Sequence, residues 1–308
     1  MAQKIIIDND PGHDDAINLL LALASGELEL LGITCVHGNV GLDRTTLNTL
    51  KILELAGKNV SVYAGADRPL LRDPINAESV HGKSGLEGPV LPDPTLALKS
   101  QRAAEFIVQS VLEYPNEVIL VPTGPLTNIA LALRLEPKIA PLIPQMVIMG
   151  GSTDFGNFSP AAEFNILADP HAASIVFSSG VPIVMFGLNV THQVLATPAR
   201  VDKFRQLESK VAEAVVSLLE FFKLSYEKRY QFAGPALHDP CTVAYLLRPE
   251  LFELREMNVE IELGAGPSFG QTVCDVWGVT GKVKNARVAI EADADGFFEL
   301  LLERVGRY

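Results

Sequence analysis

The chain has 308 residues, 48% of them hydrophobic, enough for one large α/β domain or two modest ones. A formal net charge of −12 leaves no basic footprint for nucleic acid or an anionic membrane. That charge suits a neutral or cationic small molecule, and it is equally the charge of a plain acidic cytoplasmic protein.

In chain order, Lys4–Asp8 reads as a strand and His13–Ala24 as a helix. Leu28–Val36 is a second strand, followed by a helix over Asp43–Ala56. Val60–Tyr63, Glu117–Val121, Gln145–Met149 and Pro182–Phe186 continue the strand series, with helical patterns at Arg102–Glu113, Thr127–Leu135 and Pro170–Ser178. This alternation predicts βαβ units and an open, mainly parallel, Rossmann-like α/β sheet flanked by helices. The strands are apolar nearly throughout, as expected when both faces are covered. From about Pro198 the style changes to a C-terminal helical and β-strand elaboration. Arg200–Tyr230 and Pro235–Leu247 read as helices, Met257–Leu263, Gln271–Val276 and Arg287–Glu291 as strands, and Gly296–Val305 as a closing helix. No linker or repeat divides the chain, so a single domain over residues 1–308 is expected. Cys35, Cys241 and Cys274 lack metal-type spacing and read as buried, reduced thiols. No signal-peptide pattern leads the chain, and no apolar stretch approaches the ~20 residues that span a bilayer. The expected location is therefore the cytoplasm.

Polar residues gather at strand ends: Asp8 and Asp10 after the first strand, His37-Gly38-Asn39 after the second, Pro122-Thr123-Gly124 and Gly150-Gly151-Ser152 after later ones. In open α/β sheets ligands sit outside the carboxyl ends of the strands, so these loops predict one site on one rim. The first loop is the most charged. Asp8, Asp10, Asp14 and Asp15 fall within eight residues. Two unit charges about 4 Å apart repel by roughly 4 kcal/mol at an effective dielectric of ~20. A helix N-terminus returns only ~0.3–1 kcal/mol for each acid in its first turn. Successive helix residues are about 100° apart, so Asp14 and Asp15 are not expected to face one point equally. A hard divalent cation with oxygen ligands is the simplest compensation, and the plain alternative is a capped helix with solvated acids. An EF-hand does not fit, because Leu19 stands where its bidentate Glu belongs.

The stretch DNDPGHDDA resembles the signature of the nucleoside hydrolases, the inosine–uridine-preferring family. The likeness returns at VPTGPLTNIALAL, at MGGSTDFGNFSPAAEFNILADPHAA and at HDPCTVAYLL, and so runs through nearly the whole chain. Asn9 stands where the family often has Thr. The resemblance implies an open α/β sheet, usually in homodimers or homotetramers, and a calcium ion held by Asp10, Asp15, Asp239 and the carbonyl of Thr123. It implies that Asp10 is also the general base. Asp14 and Asn39 would hold ribose hydroxyls with Asn157, Glu163 and Asn165. His238 would be the acid that protonates the leaving base, the plain alternative being a packed histidine that orients Asp239. His81, in the long Gly/Pro-rich segment between Gly65 and Lys99, would lie near the base. Phe222 and Tyr226, four apart on one helix face, would pack against it, although aromatics at that spacing are by themselves more often core. His13, His37, His171 and His192 read as structural or peripheral.

The chemistry agrees with the resemblance. An N-glycosidic bond breaks through an oxocarbenium-like state, which an acidic rim stabilises. A calcium-bound water loses a proton more readily, so direct attack by water is expected, with no covalent intermediate. The expected activity is calcium-dependent hydrolysis of ribonucleosides of the inosine and uridine type to ribose and base. A pyrimidine-specific (uridine/cytidine) hydrolase is the alternative, and aromatics at 222 and 226 lean toward purine acceptance. Asp8-Asn9-Asp10 is also similar to the opening of haloacid-dehalogenase-like phosphatases, but Gly12 stands where those enzymes usually need Thr or Val. A non-catalytic nucleoside sensor would lack the base or the acid, and a phosphorylase would need an anion pocket that the rim motifs do not contain.

Overall fold

In a computed structural model that describes residues 2–308, ten strands form two sheets. They are β1 Gln3–Asn9, β2 Leu28–Cys35, β3 Val62–Ala64, β4 Val118–Pro122, β5 Met146–Met149, β6 Ile183–Phe186, β7 Phe252–Met257, β8 Val259–Ile261, β9 Thr272–Cys274 and β10 Ala286–Ala292. The main sheet has eight strands in the order β3-β2-β1-β4-β5-β6-β10-β7, and β8 pairs with β9 as a separate ribbon. Every pairing in the main sheet is parallel except β7 against β10. The expected α/β architecture is therefore present, and the winding reverses between β1 and β4. That crevice is where such sheets bind ligands.

The apolar run of β1 serves two cores. Ile5 and Ile7 pack with the helices His13–Leu23, Leu42–Ala56, Lys210–Arg229, Pro240–Leu247 and Ala294–Val305 on one face. Ile6 packs with Ala103–Glu113, Thr127–Leu135 and Pro170–Phe177 on the other. Side chains alternate across a strand, so a strand covered on both faces needs apolar residues at every position.

Two expected helices differ from those observed. The helical stretch read as Arg200–Tyr230 is two helices, Pro198–Arg205 and Lys210–Arg229. Ser209 caps the second by accepting the Ala212 amide at 3.1 Å, so the chain restarts there. The helix read from Pro235 begins at Pro240, because residues 235–237 pair with residues 194–196. Strand β7 was not foreseen. As the antiparallel edge it exposes most of one face, so FELREM carries no apolar run.

Candidate active site

Asp8 and Asp10 leave the end of β1 toward the β1–β4 crevice. Asp8 Oδ1 accepts from Asn128 Nδ2 at 2.7 Å and from Thr34 Oγ1 at 2.5 Å, which ties β1 to β2 and to the helix after β4. Asp10 Oδ2 accepts the Asn39 amide at 2.7 Å, and its Oδ1 is buried without a partner. Gly38 and Gly124 flank this carboxylate so closely that a Cβ at either would collide with it. Gly12 breaks the strand and the helix His13–Leu23 starts at once, its first turn holding Asp14 and Asp15. Asp15 Oδ2 accepts the Gly12 amide at 3.0 Å, and Asp15 Oδ1 accepts Thr123 Oγ1 at 2.8 Å.

Asp239 arrives from far along the chain, at the N-terminus of Pro240–Leu247, which packs on the first helix. One oxygen from each of Asp14, Asp15 and Asp239 lies within 4.8 Å of the others. Both acids of the first turn therefore converge, where helix geometry alone predicted that they would diverge. Asp10 stands outside this group but close enough to act on it electrostatically. Burial is the largest cause that raises the proton affinity of all of them. Asp14 is pushed up to about 7 and Asp15 to about 6, while Asp10 and Asp239 move well above the usual carboxylate range. No lysine or arginine is among the strongest influences on them. A buried, all-oxygen cluster without a cationic side chain, with the Asp10 oxygen still unpartnered beside it, fits a hard divalent metal ion.

Above the acids lies a cleft that opens to solvent. Asp14, Asn39, Thr123 and Asp239 line its floor, and Asp10 and Asp15 are fully buried. Asn157, Glu163 and Asn165 line one wall. Each is fastened by the backbone. Asn165 Nδ2 donates to the Thr123 carbonyl at 2.8 Å, Glu163 caps the helix Phe164–Ala168, and Asn157 Oδ1 accepts the Phe164 amide at 2.8 Å. Burial also pushes Glu163 up to about 7. His81, Phe222, Tyr226 and His238 also line the cleft and touch one another in turn. His238 Nδ1 lies 2.7 Å from Thr191 Oγ1, and its Nε2 hydrogen-bonds the Tyr226 hydroxyl. Burial lowers the proton affinity of both His81 and His238 and raises that of Tyr226.

Sequence reasoning missed three contributors. Thr191 holds His238, and His13, read as structural, touches His81. Arg229 bonds the Asn157 carbonyl and so links the long helix to the loop after β5. Only for His13, next to Asp14, was there a local signal.

The model of the inosine-uridine preferring nucleoside hydrolases matches residues 5–299. The chain belongs to the nucleoside hydrolase family. It is a hydrolase of N-glycosyl bonds. It is 46% identical to the pyrimidine-specific ribonucleoside hydrolase RihA of Citrobacter koseri, covering 100% of this chain and 99% of the relative. It is 42% identical to the pyrimidine-specific ribonucleoside hydrolase RihB of Escherichia coli, over 99% and 98%. Among solved structures, a purine-preferring ribonucleoside hydrolase from Gardnerella vaginalis superposes with a TM-score of 0.93 at 35% identity, covering 99% of this nucleoside hydrolase and 98% of that chain.

Proposed function

We propose that this nucleoside hydrolase works as one domain over residues 1–308, depends on calcium, and splits the N-glycosidic bond of uridine and cytidine to give ribose and free base. The observation that carries the reading is a cleft with Asp14 and Asp239 on its floor and His238 on its wall, in a chain so close over its full length to pyrimidine-specific relatives.

A bound calcium ion would be held by Asp15, Asp239 and the Thr123 carbonyl with Asp10 alongside, and would supply Lewis acidity toward water and an anchor for ribose hydroxyls. The remaining steps belong to side chains. Asp14 and Asn39 bind ribose from below, and Asn157, Glu163 and Asn165 bind it from the wall. Their negative and amide oxygens stabilise the positive charge that grows on the sugar as the bond breaks. Asp10 Oδ1, buried and unpartnered, takes the proton of the attacking water. His238 gives a proton to the departing base. Burial keeps its ring neutral at rest, so His238 takes up a proton as negative charge develops on the base and passes that proton on, while the proton that Asp10 removes from water returns to solvent and keeps the balance.

Incubation of the pure protein with uridine, cytidine, inosine and adenosine, with and without phosphate or chelator, tests the reading. Free ribose and base, independent of phosphate and lost on chelation, are expected. Ribose 1-phosphate would mean a phosphorylase, and turnover of phosphate esters alone a phosphatase. A second reading, turnover of inosine beside the pyrimidines, is favoured by the aromatic wall of Phe222 and Tyr226. His238→Ala is expected to cut kcat for uridine by about 10²–10⁴-fold but much less for p-nitrophenyl riboside, whose leaving group needs no proton. Equal losses on both substrates would remove His238 from the acid role.

A further inference from the structure

His81 ends the short helix Glu78–His81, and its ring lies between the cleft and His13. His13 is fully buried, with its ring near-parallel to those of Phe221 and Phe222 at 5.1 and 5.4 Å between centroids. Its Nε2 lies 2.8 Å from the Glu87 carbonyl oxygen. A carbonyl only accepts, so Nε2 carries the proton, and in a neutral ring Nδ1 is bare. The ring is fully buried and its partners are a carbonyl and another imidazole rather than a carboxylate, so it is neutral. The bare Nδ1 lies 3.0 Å from His81 Nδ1. Two bare nitrogens at that distance would repel, so His81 Nδ1 carries a proton and donates it. The main-chain N–H of His13 also points at His81 Nδ1, at 3.2 Å, and would be bonded only in the opposite tautomer. The contact between the two Nδ1 atoms is bonded either way, so the Glu87 carbonyl, which can only accept and at 2.8 Å is the closer of the two remaining contacts, decides the tautomer. His81 Nε2 is left without a proton and without a protein partner, and it is not among the sealed, unpartnered atoms of the interior.

We infer that His13 is a positioning residue for base recognition: it locks the proton of His81 on Nδ1, so that Nε2 meets the base as an acceptor and reads a donor edge, either an imide N–H or an exocyclic amino group. The ligand half of this inference rests on the nucleoside reading above, while the tautomer half stands on the unliganded protein. His13 also ties the loop through Glu87 to the helix that carries Asp14 and Asp15, so the base-reading ring and the acids share one support.

The test is a long-range ¹H–¹⁵N correlation spectrum of the calcium-loaded, ¹⁵N-histidine-labelled protein, with His81 identified by its loss in His81→Ala. A protonated Nδ1 and a bare Nε2 are expected for His81, the reverse of the usual preference of the free ring. His13→Phe keeps a ring between His81 and the phenylalanines but removes the acceptor. The main-chain N–H of residue 13 then becomes the nearest donor, and His81 is expected to switch its proton to Nε2. In the same variant, kcat/KM for uridine relative to p-nitrophenyl riboside is expected to fall about tenfold, mainly through KM, because nitrophenol has no N–H to be read. A wild-type His81 protonated on Nε2 would overturn the inference, and this measurement stands even if the variant fails to fold. An unchanged tautomer in His13→Phe, or an unchanged substrate ratio, would also overturn it. Failure of the wild type to cleave any nucleoside would instead overturn the proposed function and the ligand half with it, leaving the tautomer to the spectrum.

Discussion

Replacing Asp10 with alanine is expected to lower kcat for uridine by at least about a thousandfold, while weakening calcium binding less than Asp239→Ala does. The two acids differ in place. Asp239 shares one oxygen cluster with Asp14 and Asp15, and Asp10 does not. Asp10 is instead held as a base is held. One oxygen is fixed by the Asn39 amide at 2.7 Å, two glycines press the carboxylate from either side, and the other oxygen is left without a partner. Losing it removes the proton acceptor for water but leaves three carboxylates together. Removing one of several crowded, buried charges also relieves repulsion, so metal-free Asp10→Ala is expected to melt no lower than the metal-free wild type at pH 8. Calorimetric titration with calcium, single-turnover kinetics and thermal melts check the three parts. A variant that loses calcium as completely as Asp239→Ala would make Asp10 a ligand first and a base second.

Stripping the metal is expected to abolish turnover and to make stability fall as pH rises through neutrality. In the metal-free fold Asp8 and Asp14 are pushed up to about 7 and Asp15 to about 6, all by burial first, and Asp10 and Asp239 are raised further. The same groups in an unfolded chain titrate near ~3.9. Between these limits the folded protein holds more protons than the unfolded one, so unfolding releases protons and stability decreases with pH. The stability these groups contribute is fully present below about 4 and is lost as pH passes the folded values of about 6 to 7. Calcium takes the place of the protons, so its binding should release them and its benefit should grow with pH. The rise in Tm on adding calcium to chelator-treated protein is expected to be at least about 5 °C larger at pH 8 than at pH 5. A rise independent of pH would mean that the acids are already ionised and compensated without metal.

Much of this site was legible along the chain because it is written in local runs. The apolar strand of Ile5, Ile6 and Ile7, the break at Pro11-Gly12 and the acids around it follow from propensity, strand alternation and repulsion between like charges. The same holds for the alternating strands and helices that make a parallel sheet. Elements whose signal is weak or borrowed were not legible. Strand β7 is polar because it lies on an edge, and residues 235–237 are not helical because they pair with residues 194–196.

Sequence by itself therefore determined the class of fold, the rim on which the polar loops gather and the need to neutralise a knot of carboxylates, because each is a matter of near neighbours in the chain. Only the tertiary structure decided that Asp14 and Asp15 both turn to Asp239, that Asp10 stands apart from them, and that His13 meets a histidine 68 residues on. Those outcomes depend on how one helix seats against another and on which loop folds over it, and no periodicity along a single element carries that information.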